Sequence, residues 1–284
     1  MKMKLIDNYK FSGHESFPCK SLWLKKGYDY EADEGNFNAP EAVVRLGVGK
    51  NMVNSIRYWF KVFGLDRKSQ MRWIADMLFG AQGRDPYMED SGTLWLLHYL
   101  LVATGEATLY QWFFTDFQKK KKKFKKQDVV SYIKAKLLDA GRLSMFNENT
   151  VAKDVSVLLQ NYCAPRNAKN NEDYSSLLLD LNLLSAVGKD EYVFNEEEKT
   201  TISPDIFFFV ILMEKGLDAT VGFEDTLKRI GLIFCMTELD IISILKDIAE
   251  RYDEYVVYSD IAGVRQLMFM KEVEPEEILR KYYE

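Results

Sequence analysis

A mainly α-helical chain with small β-hairpin wings, arranged as tandem helix-turn-helix and winged-helix-like modules, is the fold class predicted here. Three observations carry it: a helix, glycine turn and helix over residues 42–59; a looser recurrence between Val129 and Phe194; and an alternating, glycine-centred segment over 255–269 that follows further helical periods. The expected modules are an N-terminal helix-turn-helix over 1–90, a central helical and winged-helix-like part over 91–200, and a C-terminal α+β winged-helix-like part over 201–284.

In the first module Val43, Val44 and Leu46 close one short helix, Gly47 and Gly49 supply the turn, and Met52, Val53, Ile56 and Trp59 recur at helical spacing. The outward face then carries Lys50, Asn51, Asn54, Ser55 and Arg57, with Lys61 one turn on. Lys and Arg neutralise phosphates, and Asn and Arg form paired hydrogen bonds with base edges, so this face is a candidate DNA reader. Helix-turn-helix geometry also occurs in proteins that never touch nucleic acid. A phosphate-binding nucleotide loop at Gly49-Lys50 is excluded, because Val44 stands where its first glycine belongs and Asn51 where Ser or Thr would bind magnesium. Ahead of this module, Phe11-Ser12-Gly13-His14-Glu15-Ser16-Phe17-Pro18 reads as an ordered loop leading into a helix over Ser21 to Tyr28. Adjacent His14 and Glu15 are either a proton-transfer or metal-ligand pair or polar pins for the loop.

Next, the turn-rich segment 80–93 precedes an apolar helix over Leu94 to Ala103, with Asp90 or Ser91 as its cap. Asp85, Glu89 and Asp90 form the densest acidic group at this junction and are candidate magnesium ligands and catalytic residues for phosphodiester cleavage; capping and turn formation explain the same residues without chemistry. His98, among Trp95, Leu96, Leu97 and Leu101, reads as a core histidine.

The second helix pair spans Val129 to Ala140 and Asn149 to Tyr162, the latter capped by Asn149 or Thr150 and buried along Val151, Val155, Leu158 and Leu159. Ala164 to Asp173 is polar and reads as a mobile loop, and 177–194 reads as short helix, strand, turn and strand. The third pattern has helices near Asp205 to Glu214, Thr226 to Arg229 and Glu238 to Arg251, then a hairpin around Gly263. Pro204-Asp205 with Glu214-Lys215 imitates a nuclease signature, but Gly216 occupies the place of its lysine.

Charge is segregated along the chain. Net charge is -5 overall, whereas residues 45–80 carry +5, residues 119–136 carry +8 and residues 238–284 carry -6. One basic surface for a polyanion and an acidic remainder fit that distribution, although the run Lys119 to Lys126 reads equally as a solvated loop. Cys19, Cys163 and Cys235 lie far apart and read as core residues, which excludes a zinc finger or a disulfide framework. No apolar run approaches the ~20 residues of a membrane span and no secretory signal opens the chain, so no membrane partner and a cytoplasmic location are expected.

Several uncommon words occur in order: Phe11-Ser12-Gly13-His14-Glu15 with Phe17-Pro18, Trp23 to Asp29, Leu46 to Val53 with Ser55 to Trp59, Asp85-Pro86-Tyr87 with Glu89-Asp90, Trp95 to His98, Thr150 to Val155 and Glu172-Asp173. On these the chain resembles the family labelled domain of unknown function 4007. The resemblance implies a DNA-binding component of a prokaryotic DNA phosphorothioation and defence system, similar to the SspB-like nicking subunit. It also implies DNA, sulfur-transfer proteins and an ATPase as partners; Mg2+ enters as a cofactor only with the nicking activity and the acidic group at Asp85, Glu89 and Asp90. Lys20 is a departure, since arginine is common there in the family; the charge persists but the paired phosphate geometry does not. Two activities remain open: a magnesium-dependent DNA-nicking endonuclease, and a noncatalytic DNA-binding adaptor or transcriptional regulator.

Overall fold

The computed structural model describes Met3, residues 8–164 and residues 175–284, so the expected mobile loop beyond Ala164 lies outside the described residues. Two compact units divide the chain, Ile6–Asn195, and Glu196–Glu284 together with Met1–Leu5. Position 90/91, expected as a module boundary, lies within the first unit. Each unit combines helices with one small antiparallel sheet, which is the mainly α class with β wings.

The first unit begins with α1 (Trp23–Ala32), which buries Trp23, Leu24, Gly27 and Tyr30, one helical face that carries the helix past Tyr28. Then come α2 (Ala42–Leu46) and α3 (Lys50–Val62), with Gly47 between them at φ 65. That left-handed residue lets its amide return to the end of α2 while the chain turns away, a conformation that disfavours a Cβ. Helix α3 buries Val53, Ile56, Trp59 and Phe60, as its apolar spacing requires. After α4 (Arg72–Phe79), α5 (Ser91–Ala103) is buried from Gly92 to Ala103 and so forms the unit's central post rather than an amphipathic surface helix. Its His98 Nδ1 sits 2.8 Å from the Tyr162 hydroxyl, a core histidine with a partner.

Short α6 (Thr108–Trp112), a π-helical turn over Phe113–Phe117 and α7 (Gln118–Lys120) lead into β1 (Lys123–Phe124). The lysine run therefore ends a helix and forms an edge strand, with Lys121 paired to Asp128 at 2.7 Å and Lys123 to Glu191 at 3.1 Å. Helices α8 (Lys126–Asp139) and α9 (Glu148–Tyr162) follow. The cap of α9 is Asn147, whose side chain accepts the Thr150 amide at 3.0 Å, because the helix starts ahead of the expected Asn149 or Thr150 cap. Strands β2 (Leu184–Gly188) and β3 (Glu191–Phe194) complete a sheet in the order β1-β3-β2. Phe124 and Phe194 bring it onto the Phe113 ring, at centroid distances of 5.4 and 4.8 Å.

The second unit holds α10 (Pro204–Lys215), buried nearly throughout, then β4 (Thr220–Gly222), a π-helical turn at Phe223–Leu227 and α11 (Lys228–Ile233). A reciprocal Thr237–Asp240 cap starts α12 (Glu238–Arg251), which leads to β5 (Val256–Ile261), β6 (Val264–Phe269) and α13 (Pro275–Tyr282). The sheet order is β4-β6-β5, with the expected hairpin turning at Ala262 and Gly263. Among the described residues no helix is long and apolar enough to cross a membrane.

Candidate nucleic-acid interface

The loop before α1 is held in an unusual backbone path. Ser12, Glu15 and Ser16 take φ values of 68, 49 and 65, and Gly13 takes 107. Left-handed residues with side chains are costly, so their clustering demands strong local ties. His14 supplies them. Its Nδ1 accepts the Ser16 amide at 3.1 Å, which places the ring proton on Nε2, and Nε2 donates to Asp154 Oδ1 at 2.8 Å. Asp154 Oδ2 accepts the Ser12 amide at 2.9 Å, and the His14 carbonyl accepts both the Ser55 hydroxyl at 3.1 Å and the Phe17 amide at 2.8 Å. Beside it, Tyr58 meets the His14 ring edge-on at 5.8 Å; burial, then the charges of Asp154 and Glu106, push its phenol up.

His14 and Glu15, expected either as a catalytic pair or as pins of the loop, are placed differently from each other. His14 is buried with both ring nitrogens committed, and left-handed Glu15 carries its carboxylate to the surface. His14 is the pin; Glu15 is exposed and forms no hydrogen bond or ion pair.

This loop and two sequence-distant segments, the starts of α3 and α9, meet in a cleft of about 360 Å³, lined by Ser12, Glu15, Asn51, Thr150, Lys153 and Asp154 among others. Asn51 is the second residue of α3, and Lys50 is its exposed first residue. Gly49 precedes them with no side-chain cap, which leaves the first amides of α3 without an internal acceptor. Thr150 and Lys153 come from the first turns of α9. Lys50, Asn51 and Lys153 are exposed and unpaired.

The remaining candidates on α3 are placed differently. Arg57 is exposed and donates to Asn38 Oδ1 at 2.6 Å, Lys61 is exposed and paired to Glu106 at 3.2 Å, and Asn54 is half-buried. Ser55, expected on the outward face, is instead fully buried against the His14 carbonyl, because it falls on the same helical face as Val62 and Trp59. Lys20 is half-buried in a backbone bridge to Ser176 and lines a second, larger cavity.

The acidic junction is likewise consumed by the fold. Asp85 is 8% exposed and accepts the Glu89 and Asp90 amides at 2.9 and 3.1 Å. Asp90 caps α5, accepting the Gly92 and Thr93 amides at 2.8 and 3.1 Å, while Glu89 is exposed. Among the described residues no three His, Cys, Asp or Glu side chains gather to hold a metal ion. Of the expected metal and catalytic triplet Asp85, Glu89 and Asp90, the Asp85 and Asp90 oxygens are turned onto backbone amides of a turn and a helix cap, and the Glu89 side chain is exposed. In the second unit Asp205 accepts from Arg251 and Tyr252, and Glu214 from Arg229 at 3.2 Å, so the imitation nuclease signature is also internally paired.

Asp154, Lys153 and Thr150 were not singled out from the sequence as site residues. A signal existed: Asp154 interrupts the apolar stripe Val151, Val155, Leu158, where an ionised carboxylate needs a buried donor, and a histidine is one of few candidates.

A mainly helical protein with two small antiparallel sheets and a histidine-pinned loop beside two helix starts is the class defined here. The chain belongs to the family described as "Protein of unknown function (DUF4007)", which matches residues 11–283. It is similar to the structure titled "Magnesium ion-bound SspB crystal structure", at 25% identity and a TM-score of 0.84 over 97% of this chain and 88% of that one. It is also similar to "SspB crystal structure", at 25% identity and a TM-score of 0.80 with the same coverage. No curated protein matches the chain.

Proposed function

We propose that this protein is the DNA-binding, SspB-like component of a prokaryotic DNA phosphorothioation and defence system, and that the cleft at Glu15, Asn51 and Lys153 seats the phosphates of one strand. Likeness to SspB across 97% of the chain supports the system. The observation that carries DNA binding is the meeting of unpaired Asn51 and Lys153 in the cleft at the uncapped start of α3, whose first residue is the unpaired Lys50. Lys50 and Lys153 neutralise phosphate charge, and Asn51 and the free amides of α3 fix the strand's position. Sulfur-transfer and ATPase proteins of such a system are the proposed protein partners.

Strand nicking is the activity that the likeness to SspB offers, and one of those structures is described as magnesium-bound. The described residues do not form a dedicated magnesium cage, and the one unpaired carboxylate on the cleft is Glu15. A noncatalytic DNA-binding adaptor is favoured as the second reading by the full engagement of His14 and Asp85.

Fluorescence anisotropy with labelled DNA and a supercoiled-plasmid assay with magnesium test both. DNA affinity should fall in Lys50→Ala and Lys153→Ala, and unchanged affinity in the double variant would remove the cleft from DNA binding. Nicking that is lost in Glu15→Gln but retained in Glu89→Ala supports the enzyme. Tight binding without nicking at any protein concentration supports the adaptor.

A further inference from the structure

The larger cavity, about 640 Å³, adjoins the cleft: Ser16 lines both, and α9 continues from Lys153 in one to Ser156, Gln160 and Cys163 in the other. Its volume falls within the range that encloses small organic ligands. Two half-buried aromatic rings, Phe17 and Tyr192, stand in its wall, and Phe17 is the residue that follows the pinned loop. Tyr192 is braced by Phe124, whose ring lies 5.8 Å away at an interplanar angle of 26°. Three lysines, Lys20, Lys126 and Lys189, come from three different segments to the same cavity, against one carboxylate, Asp190. Lys126 and Lys189 form no ion pair. Burial pushes the Cys163 thiol up to about 12, so this cysteine is a protonated, apolar piece of wall and not a nucleophile.

Aromatic rings for stacking, amide and hydroxyl groups for a base edge, and unpaired ammonium groups for phosphate are the three requirements of a nucleotide site. We propose that this cavity binds one nucleotide, with the base against Phe17 and Tyr192, Gln160 at its edge, and Lys126 and Lys189 on its phosphate. Two sources share that chemistry. A nucleotide turned out of the strand seated in the adjoining cleft rests on the DNA-binding reading above; a free nucleotide does not.

Two measurements on the full chain separate the sources. In the first, single-stranded DNA carrying 5-iodouracil is bound, photocrosslinked and mapped by mass spectrometry, and its affinity is measured across a salt series. The strand source predicts crosslinks to Phe17 or Tyr192 and a roughly 5- to 150-fold loss of affinity in Tyr192→Ala, the worth of one base–aromatic stack. The salt dependence should stay unchanged in that variant, because no phosphate contact is removed, whereas Lys153→Ala should flatten it. Gln160→Trp, at an exposed position of α9 on the cavity wall, should block the site and reproduce the loss if Tyr192→Ala fails to fold. In the second, deoxynucleoside monophosphates are titrated calorimetrically. Binding of these that disappears in Gln160→Trp supports the free source, even for a protein that binds no DNA. Wild-type affinity for both ligand types in Gln160→Trp, or crosslinks that map only outside the cavity, would overturn the proposal. So would a wild-type protein that binds neither DNA nor mononucleotide.

Discussion

The starts of α3 and α5 look alike in the sequence and differ in what the fold has left over. Each follows a turn, and each carries charged residues that qualify as candidate ligands. At α5 the carboxylate of Asp90 takes two helix amides, and Asp85 takes two more from the turn before it. At α3 the preceding residue is Gly49, the amides have no side-chain acceptor, and Lys50 and Asn51 remain unpaired. Charge density alone marks the first as the site; an inventory of unsatisfied donors marks the second.

Breaking the α5 side should give the largest effect. Asp85→Ala leaves two backbone donors of a buried turn without their charged acceptor and should lower the unfolding free energy by about 3 kcal/mol in urea titrations. Glu89→Ala, exposed in the same turn, should change it by less than about 0.5 kcal/mol. Equal effects would mean that the turn is held by something other than Asp85.

On the α3 side the effect moves from stability to binding. Lys50→Ala should leave the urea midpoint in place and reduce the slope of log affinity for DNA against log salt by about 0.9, one phosphate's worth. Lys61→Ala should reduce that slope less, since Lys61 is already paired to Glu106. A larger change at Lys61 would move the DNA path along α3 and away from the cleft.

A smaller change is expected when the α5 cap is removed. Asp90→Ala should cost about 1 kcal/mol of stability, the usual worth of an N-cap carboxylate, measured against Asp85→Ala in the same titration.

The smallest effect concerns acid stability near α3. Burial alone would raise the Glu106 carboxyl, but Lys10 and Lys61 outweigh it and hold it below the ordinary value. A lowered carboxylate contributes above its unfolded pKa, about 4.3, and loses that contribution as pH falls through the folded value. The stability difference between the native protein and Glu106→Gln should therefore be full at neutral pH and shrink in acid. A difference that stays constant to low pH would show that the ion pairs add nothing.

Local signals were readable and nonlocal ones were not. Gly47 between two apolar periods, the helical period over Glu238 to Arg251, and the alternation around Gly263 each encode their element within a few residues. The strand within the lysine run is invisible in that stretch, because Lys123 and Phe124 become a strand only by pairing with Val193 and Tyr192. The His14–Asp154 contact spans 140 residues, so the cleft it braces was legible only as two separate words, one before α1 and one in α9. Asp85 and Asp90 stand out in the sequence as an acidic cluster, but the partners of their carboxylates are the chain's own amides, which a residue-type pattern does not reveal.

Gly13 sets a narrow evolutionary channel for this surface. At φ 107, a Cβ there would stand 2.6 Å from the Tyr58 ring, so enlarging residue 13 requires Tyr58 to vacate its place beside His14. A saturation library across residues 11–16 should return Gly at 13 almost alone even in clones where Tyr58 is shortened, because the positive φ there penalises any Cβ whether or not the ring makes room.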